Sequence, residues 1–289
     1  MKQLRKSSTL NLHSHSRENT VEYIKAGLEF LKNSGFDASD CPIGLFDISG
    51  DGWKAQTEQI LKAQEEIGLK FEIGHLPFIG GGGEKTEEYM KAFDKKMKNA
   101  IEVGAALSLE YAVMHPNAGT EPLIAFDRKA RYDSVMNHLS PYVEYANKAG
   151  LNVVVENMRV FSGARISHRY CQTPDELCEV ADALGIGVCW DFGHANISGI
   201  KQSEGLAYVG KRLKVIHVND NTGIDDDHVP PFCGSVDWKD AMHGLAIAEF
   251  DGLFNYEIAA GRLPDSVRPA FAKYLSAAAD EIMTYIDKQ

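Results

Sequence analysis

The sequence has little of what would mark a secreted, membrane or nucleic-acid-binding protein. Its five cysteines, at 41, 171, 178, 189 and 233, never fall in a C-x-x-C spacing, so neither a zinc ribbon nor a disulfide framework is indicated, and a reducing cytoplasm is the expected compartment. No apolar run approaches the roughly 18 residues that cross a bilayer, so no membrane partner is expected. The start, Met1 to Ser8, is basic but leads into Asn11, His13, His15 and Arg17 rather than an apolar stretch, and no signal peptide is legible. Positive charge is in deficit: 30 Lys and Arg stand against 41 Asp and Glu, a net charge of −11. That excess repels a phosphate backbone and disfavours nucleic acid as a partner. The glycine run Gly80–Gly83 lacks the lysine and the serine or threonine of a phosphate-binding loop, and is read as a flexible loop short enough to act as a lid hinge. No charge block or low-complexity linker divides the 289 residues, and a hydrophobic content of 44% suffices for one sizeable core. Residues 1–289 are therefore expected to form one domain.

What is present is alternation. Short apolar, β-branched runs alternate with longer amphipathic stretches, the pattern of βαβ units around a parallel sheet. Strands are expected near Leu10–His13, Phe36–Asp40, Lys70–His75, Tyr111–His115, Asn152–Glu156, Ile186–Asp191, Leu213–His217 and Leu253–Glu257. Helical periodicity is clear over Trp53–Ile67, Thr86–Val103, Lys129–Ala149 and Thr173–Leu184, closed in turn by Gly68, Gly104, Gly150 and Gly185. Thr173-Pro-Asp-Glu offers an N-cap, a proline at the first helical position and acids at the positive end of the dipole. Eight such units predict an α/β fold, a (β/α)8 TIM barrel.

Six of the eight expected strands end in a side chain able to bind a metal: His75, His115, Glu156, Asp191, His217 and Glu257. In a closed parallel barrel those ends meet on one face, where active sites lie. His194, three residues after Asp191, and Asp226 and His228, in the loop after His217, add further ligand types. Imidazoles mixed with carboxylates suit Zn²⁺, Mn²⁺, Co²⁺ or Fe²⁺, with Mg²⁺ also compatible, better than the all-oxygen cage of Ca²⁺. The absence of cysteine from these positions argues against a purely structural zinc. Glu156 and Glu257, expected to face each other across the barrel mouth, are candidates for moving a proton at a sugar carbon as well as for holding a metal. His13 and His15, which could line the pocket after the first strand, are read rather as surface residues near a terminus, Trp53 and Phe78 as packing residues or an apolar wall, and Cys189 as a small buried residue.

At these residues the chain resembles the xylose-isomerase-like superfamily of barrels, which includes sugar isomerases, ketose 3-epimerases, inosose dehydratases, hydroxypyruvate isomerases and endonuclease IV. The resemblance is carried by Phe71 to Phe78, Val113-Met-His115-Pro, Val154-Val-Glu156-Asn, Trp190-Asp191-Phe-Gly-His194, Ile216-His217-Val-Asn-Asp220-Asn, Asp226-Asp-His228-Val-Pro-Pro and Tyr256-Glu257. It implies a divalent metal held by Glu156, Asp191, His217 and Glu257, with His194 on substrate oxygens. The two glutamates would exchange a proton with the carbon next to a carbonyl, and the metal would stabilise the enediolate. His75, His115, His194, Asp226 and His228 are assigned to a second metal or to substrate. The implied reaction is that of a sugar or sugar-phosphate isomerase or epimerase, and the implied partner is a small carbohydrate, with pairing into a homodimer expected by analogy.

The same residues resemble the zinc ligands of endonuclease IV, which would make the chain a phosphodiesterase; the negative charge argues against it. The scaffold also admits a dehydratase or keto-acid isomerase, and a sugar-binding barrel without turnover. Ketose 3-epimerases carry an arginine shortly after the strand-seven histidine, whereas this chain reads Asn219-Asp-Asn-Thr-Gly there, which sets it apart from enzymes of free ketoses. Arg159 and Arg165 are instead the candidates for binding a substrate phosphate or carboxylate.

Overall fold

The computed structural model describes residues 4–13, 20–79, 85–117, 120–160, 167–258, 260–261 and 263–286. Eight parallel strands, β1 (Arg5–Thr9), β2 (Ala38–Cys41), β3 (Phe71–His75), β4 (Tyr111–Met114), β5 (Val153–Glu156), β6 (Gly187–Asp191), β7 (Leu213–His217) and β8 (Leu253–Tyr256), stand in sequential order with β8 beside β1. A bridge between Val218 and Tyr256 brings β7 against β8, with Val218 N donating to Asn255 O at 2.8 Å and Glu257 N to Val218 O at 3.1 Å. The result is the nearly closed (β/α)8 barrel expected from the alternation.

Around it lie α1 (Thr20–Asn33), α2 (Trp53–Ile67), α3 (Glu87–Ala106), α4 (Arg128–Ala149), α5 (Pro174–Leu184), α6 (Phe192–Ile197), α7 (Gln202–Val209), α8 (Trp238–Ile247) and α9 (Arg268–Met283). Gly68, Gly150 and Gly185 end their helices in the left-handed conformation at φ 70°, 79° and 65°, where a Cβ is strained and glycine is not. Gly104 does not: α3 runs past it to Ala106. A Cβ on Gly104 would come within 2.9 Å of Leu151, so this glycine serves close packing. Thr173 occupies the N-cap of α5 but makes no side-chain capping bond.

Two cores divide the strand residues. Ala38, Ile73, Val113, Val154, Cys189, Val215 and Leu253, one from each of β2 to β8, form a small cluster of their own. It is the packed interior of the barrel, which closes the tube to water. Their sequence neighbours Val153, Val155, Val188, Trp190, Ile216 and Phe254 belong to the larger cluster beneath the helices. Strands buried on both faces thus read as continuous apolar runs.

The first strand differs from expectation. Leu10 to Leu12 form a 3-10 turn, and the strand is the preceding polar stretch. Leu10 and Leu12 are buried, but from the turn, while Ser7 and Ser8 are buried between β8 and β2. Apolar content is a misleading cue here, because small residues suffice where a strand is crowded by neighbours. His13 is half-buried rather than freely exposed: its ring packs 4.3 Å from that of Tyr23, and its Nδ1 lies 2.8 Å from Leu10 O. His15 and Gly80–Gly83 lie outside the described residues.

Candidate active site

Side chains alternate along a strand, so the residue two after an interior one faces the same way. Two beyond Ala38, Ile73, Val113, Val154, Cys189 and Val215 come Asp40, His75, His115, Glu156, Asp191 and His217. Two and four beyond Leu253 come Asn255 and Glu257. Phase along the strand alone therefore delivers these side chains to the carboxyl mouth of the barrel. His115 and Glu257 fall one residue past the hydrogen-bonded ends of β4 and β8, on the same phase.

The centre of the cluster is Glu156, 1% exposed. Its Oε1 lies 2.9 Å from His217 Nδ1, and its Oε2 lies 2.9 Å from His115 Nε2 and 3.5 Å from His75 Nε2. His217 Nδ1 is also 3.0 Å from Glu257 Oε2. Asp191 Oδ1 accepts from His194 N at 2.6 Å and its Oδ2 from Asn219 Nδ2 at 2.7 Å, so one carboxylate both caps α6 and faces the cluster. Among the described residues four groups of ligand atoms result, each with its members within 4.8 Å of one another: Glu156, Asp191, His217 and Glu257; His75, His115 and Glu156; His194, Asp226 and His228; and Glu156, Cys189 and His217.

The electrostatics follow from this crowding. Burial disfavours charge on Glu156, yet His217 and His115 hold its carboxyl well below the usual carboxylate range. Burial opposes ionisation of Glu257 too, and His217 overrides it, bringing the carboxyl down to about 2. Asp226, despite partial burial, is held well below its usual value by His194 and His228. In return, and against their own burial, His194 is lifted to about 9, chiefly by Asp191 and Asp226, and His228 to about 10, chiefly by Asp226. His115 goes the other way: burial outweighs Glu156 and lowers it to about 4.

The donor set fits a divalent metal. Glu156 Oε2 is buried, and its neighbours are the Nε2 atoms of His115 and His75 at 2.9 and 3.5 Å, themselves able to bind a metal. Buried polar atoms ordinarily have partners, and ligand atoms about 2.0–2.2 Å from one ion stand within about 4.4 Å of each other. The spacing here needs only slight contraction.

A family model for the xylose isomerase-like TIM barrel matches residues 28–279. The chain belongs to this family. The uncharacterized protein MJ1311 of Methanocaldococcus jannaschii is 26% identical over 245 residues, covering 82% of this chain and 79% of that protein. Among solved structures, D-allulose 3-epimerase from Methylomonas superposes with a TM-score of 0.75 at 15% identity, covering 98% and 99% of the two chains. A 3-keto-D-glucoside 4-epimerase from E. coli does so at 0.70 and 16%, covering 95% and 99%. At such identities the structural likeness speaks for the family's fold.

The remaining sequence candidates sit variously. Arg159 is partly buried and its Nε donates to Asp226 Oδ2 at 3.0 Å, so it reaches the cluster through Asp226. Arg165 lies outside the described residues. Trp53 is buried, whereas Phe78 is half exposed and stacks on His115 at 4.4 Å. Cys189 is buried as expected, yet its sulfur groups with Glu156 and His217; burial pushes its thiol well up, so it stays protonated. Residues without a sequence signal of their own also serve the site. Asp40 is buried at the end of β2 and accepts from Asn255 Nδ2 at 3.0 Å. Asn157 holds the end of β6, accepting from Asp191 N at 2.6 Å and donating to Asp191 O at 3.0 Å. The spacing of two from an interior residue is the signal that could have found Asp40 and Asn255.

Proposed function

We propose that the chain is a divalent-metal-dependent isomerase or epimerase of a sugar or sugar phosphate. The observation that carries this reading is the convergence of Glu156, Asp191, His217 and Glu257, with ligand atoms within 4.8 Å of one another at the barrel mouth. These four would hold the ion, Zn²⁺ or Mn²⁺ by the mixture of imidazole and carboxylate. When bound, such an ion polarises neighbouring carbonyl and hydroxyl oxygens and makes the hydrogen on the adjoining carbon more acidic.

The chain's own residues supply the proton transfer. Glu156 and Glu257 are both held below the usual carboxylate range by His217, so each stands as the ionised carboxylate that a metal ligand and a base must both be. They belong to β5 and to the end of β8, and approach the same His217 Nδ1 from two directions, at 2.9 and 3.0 Å. Two carboxylates on different strands, aimed at one point, suit removal of a proton on one side of a carbon and its return on another. His194 is fixed by Nδ1 at 2.8 Å from Asn157 O, and its Nε2 stands 3.5 Å from Asp226 Oδ2, where a substrate oxygen would take the place of that carboxylate. The imidazole stays oriented because its other nitrogen is occupied. The same reading takes residues 1–289 as one barrel domain working in the cytoplasm, as a monomer or a homodimer.

The test is hydrogen exchange. Ketoses, inososes and sugar phosphates are incubated in deuterated buffer with metal-loaded protein and followed by NMR. We expect at least one to gain deuterium beside its carbonyl, and Glu257→Gln to slow that by about 10²-fold or more. A panel in which no compound exchanges would sink the proposal.

A second reading has an observation of its own. The groups His75, His115, Glu156 and His194, Asp226, His228 flank the central four, and nine ligands of this kind can hold more than one metal, as phosphodiester hydrolysis uses. The net charge of −11 stands against a DNA substrate. Nicking of duplex DNA at an abasic site, lost on Glu156→Gln, would favour it over the isomerase.

A further inference from the structure

A cavity of about 650 Å³ extends from the cluster between the ends of β1, β2 and β3 and helix α3. Among the described residues its inner end is polar, lined by Asp40, His75 and Glu257. Thr9, Asn11 and Lys96 also line it, but much of the remaining wall is apolar: Tyr23, Ile43, Ile48, Leu76 and Phe93 border it, each 7% exposed or less. A site of this volume lies within the range of about 300–1,000 Å³ that encloses drug-sized molecules. A free pentose or hexose is smaller and bears a hydroxyl on nearly every carbon. Pressed against the apolar part of that wall, those hydroxyls would leave water for a surface that offers them few partners, which is unfavourable. An aromatic or alkyl group there would instead bury apolar surface against apolar surface. At the polar end, Asp40 is held in place by Asn255, a fixed acceptor for a hydroxyl.

We propose that the substrate has two parts: a hydroxylated sugar head at Asp40, His75 and Glu257, and an apolar substituent about the size of a phenyl ring between Tyr23, Ile43, Ile48, Leu76 and Phe93. The head rests on the isomerase reading, whereas the substituent is argued from the wall alone. Gly44 gives a handle on it. It lines the cavity, its φ is not positive, and a Cβ added there meets no atom within 4 Å. Gly44→Phe should therefore fill space without disturbing the fold. Ala92, exposed on α3 at the same cavity, offers a second such change.

The experiment is calorimetric titration of the full chain with phenyl and methyl glycosides of glucose, galactose and mannose. At least one phenyl glycoside should bind tenfold or more tightly than its methyl partner. Gly44→Phe or Ala92→Trp should cut that preference below threefold with an unchanged melting temperature. Equal binding within every pair, binding by none, or a preference that survives both substitutions overturns the proposal. Deuterium exchange separates the two readings: exchange of free ketoses without phenyl preference removes only the apolar substituent, and phenyl preference without exchange removes only the isomerase.

Discussion

Replacing Asp220 by asparagine removes a single charge at a residue that touches neither glutamate, yet it should be among the costliest changes in the loop that carries Asp226 and His228. Asp220 is 0% exposed. Its Oδ1 accepts from Asn221 N at 2.9 Å and Val236 N at 3.0 Å, and its Oδ2 from Phe232 N at 3.1 Å and Trp238 Nε1 at 3.2 Å. Its backbone pairs in both directions with Val229, at 2.9 and 3.0 Å. Four donors from both ends of the loop thus converge on one carboxylate, and an amide can face only two of them with an oxygen. The other two would meet an NH₂ group. Losing two bonds to a buried charge at about 1.5–3 kcal/mol each gives a cost of about 3–6 kcal/mol. That is a large part of the roughly 5–15 kcal/mol that holds a protein folded. In urea the midpoint should fall with an unchanged slope, since the surface exposed on unfolding is the same. Gly234→Ala tests the same junction from the other side, because its Cβ would lie 2.2 Å from Asp220 Oδ1 and 2.3 Å from Asn221 O. A destabilisation by Asp220→Asn of less than about 1 kcal/mol would refute the claim that these four bonds organise the loop.

The remaining predictions are simpler. In chelated protein, His194 at about 9 and His228 at about 10 are both raised above 6.5, so their contribution is complete below pH 6.5 and lost as pH climbs through 9 to 10. Because they share Asp226 the pair is counted once, and urea titrations should show up to about 3 kcal/mol of lost stability over that span, with Asp226→Asn flattening the dependence; an unchanged midpoint would contradict this. Arg268, wholly buried, donates to Asn11 O, Leu12 O and Leu263 O at 2.9, 3.0 and 3.1 Å, and Arg268→Met should cost about 3 kcal/mol or more by urea unfolding. Cys233 is exposed and the other four thiols are buried, so a thiol reagent should label one cysteine rapidly in native protein and all five after denaturation. Fast reaction of a second thiol would show that the interior opens more readily than its packing implies.

Much of the barrel was legible because both of its periodicities are local. The helix ending at Ile67 and the strand Leu213–His217 lie where apolar spacing and a closing glycine put them, and Gly68, Gly150 and Gly185 stop helices for a backbone reason independent of context. The gathering of imidazoles and carboxylates at strand ends was equally readable, because a closed parallel barrel must bring those ends to one face. What sequence could not decide was which residue of each strand turns inward, how the β7 loop folds over the site, and which polar residues serve those that react. Ser7 and Ser8 make a strand only because β2 and β8 flank them. Asp40 joins the site because Ala38 packs inside the barrel. Asp220, between residues that look equally polar, becomes the anchor because donors from positions 221, 232, 236 and 238 meet only in three dimensions. Local spacing specifies elements through interactions with near neighbours along the chain; the phase of a strand and the partners of a buried charge depend on contacts between distant segments, which exist only once the barrel has closed.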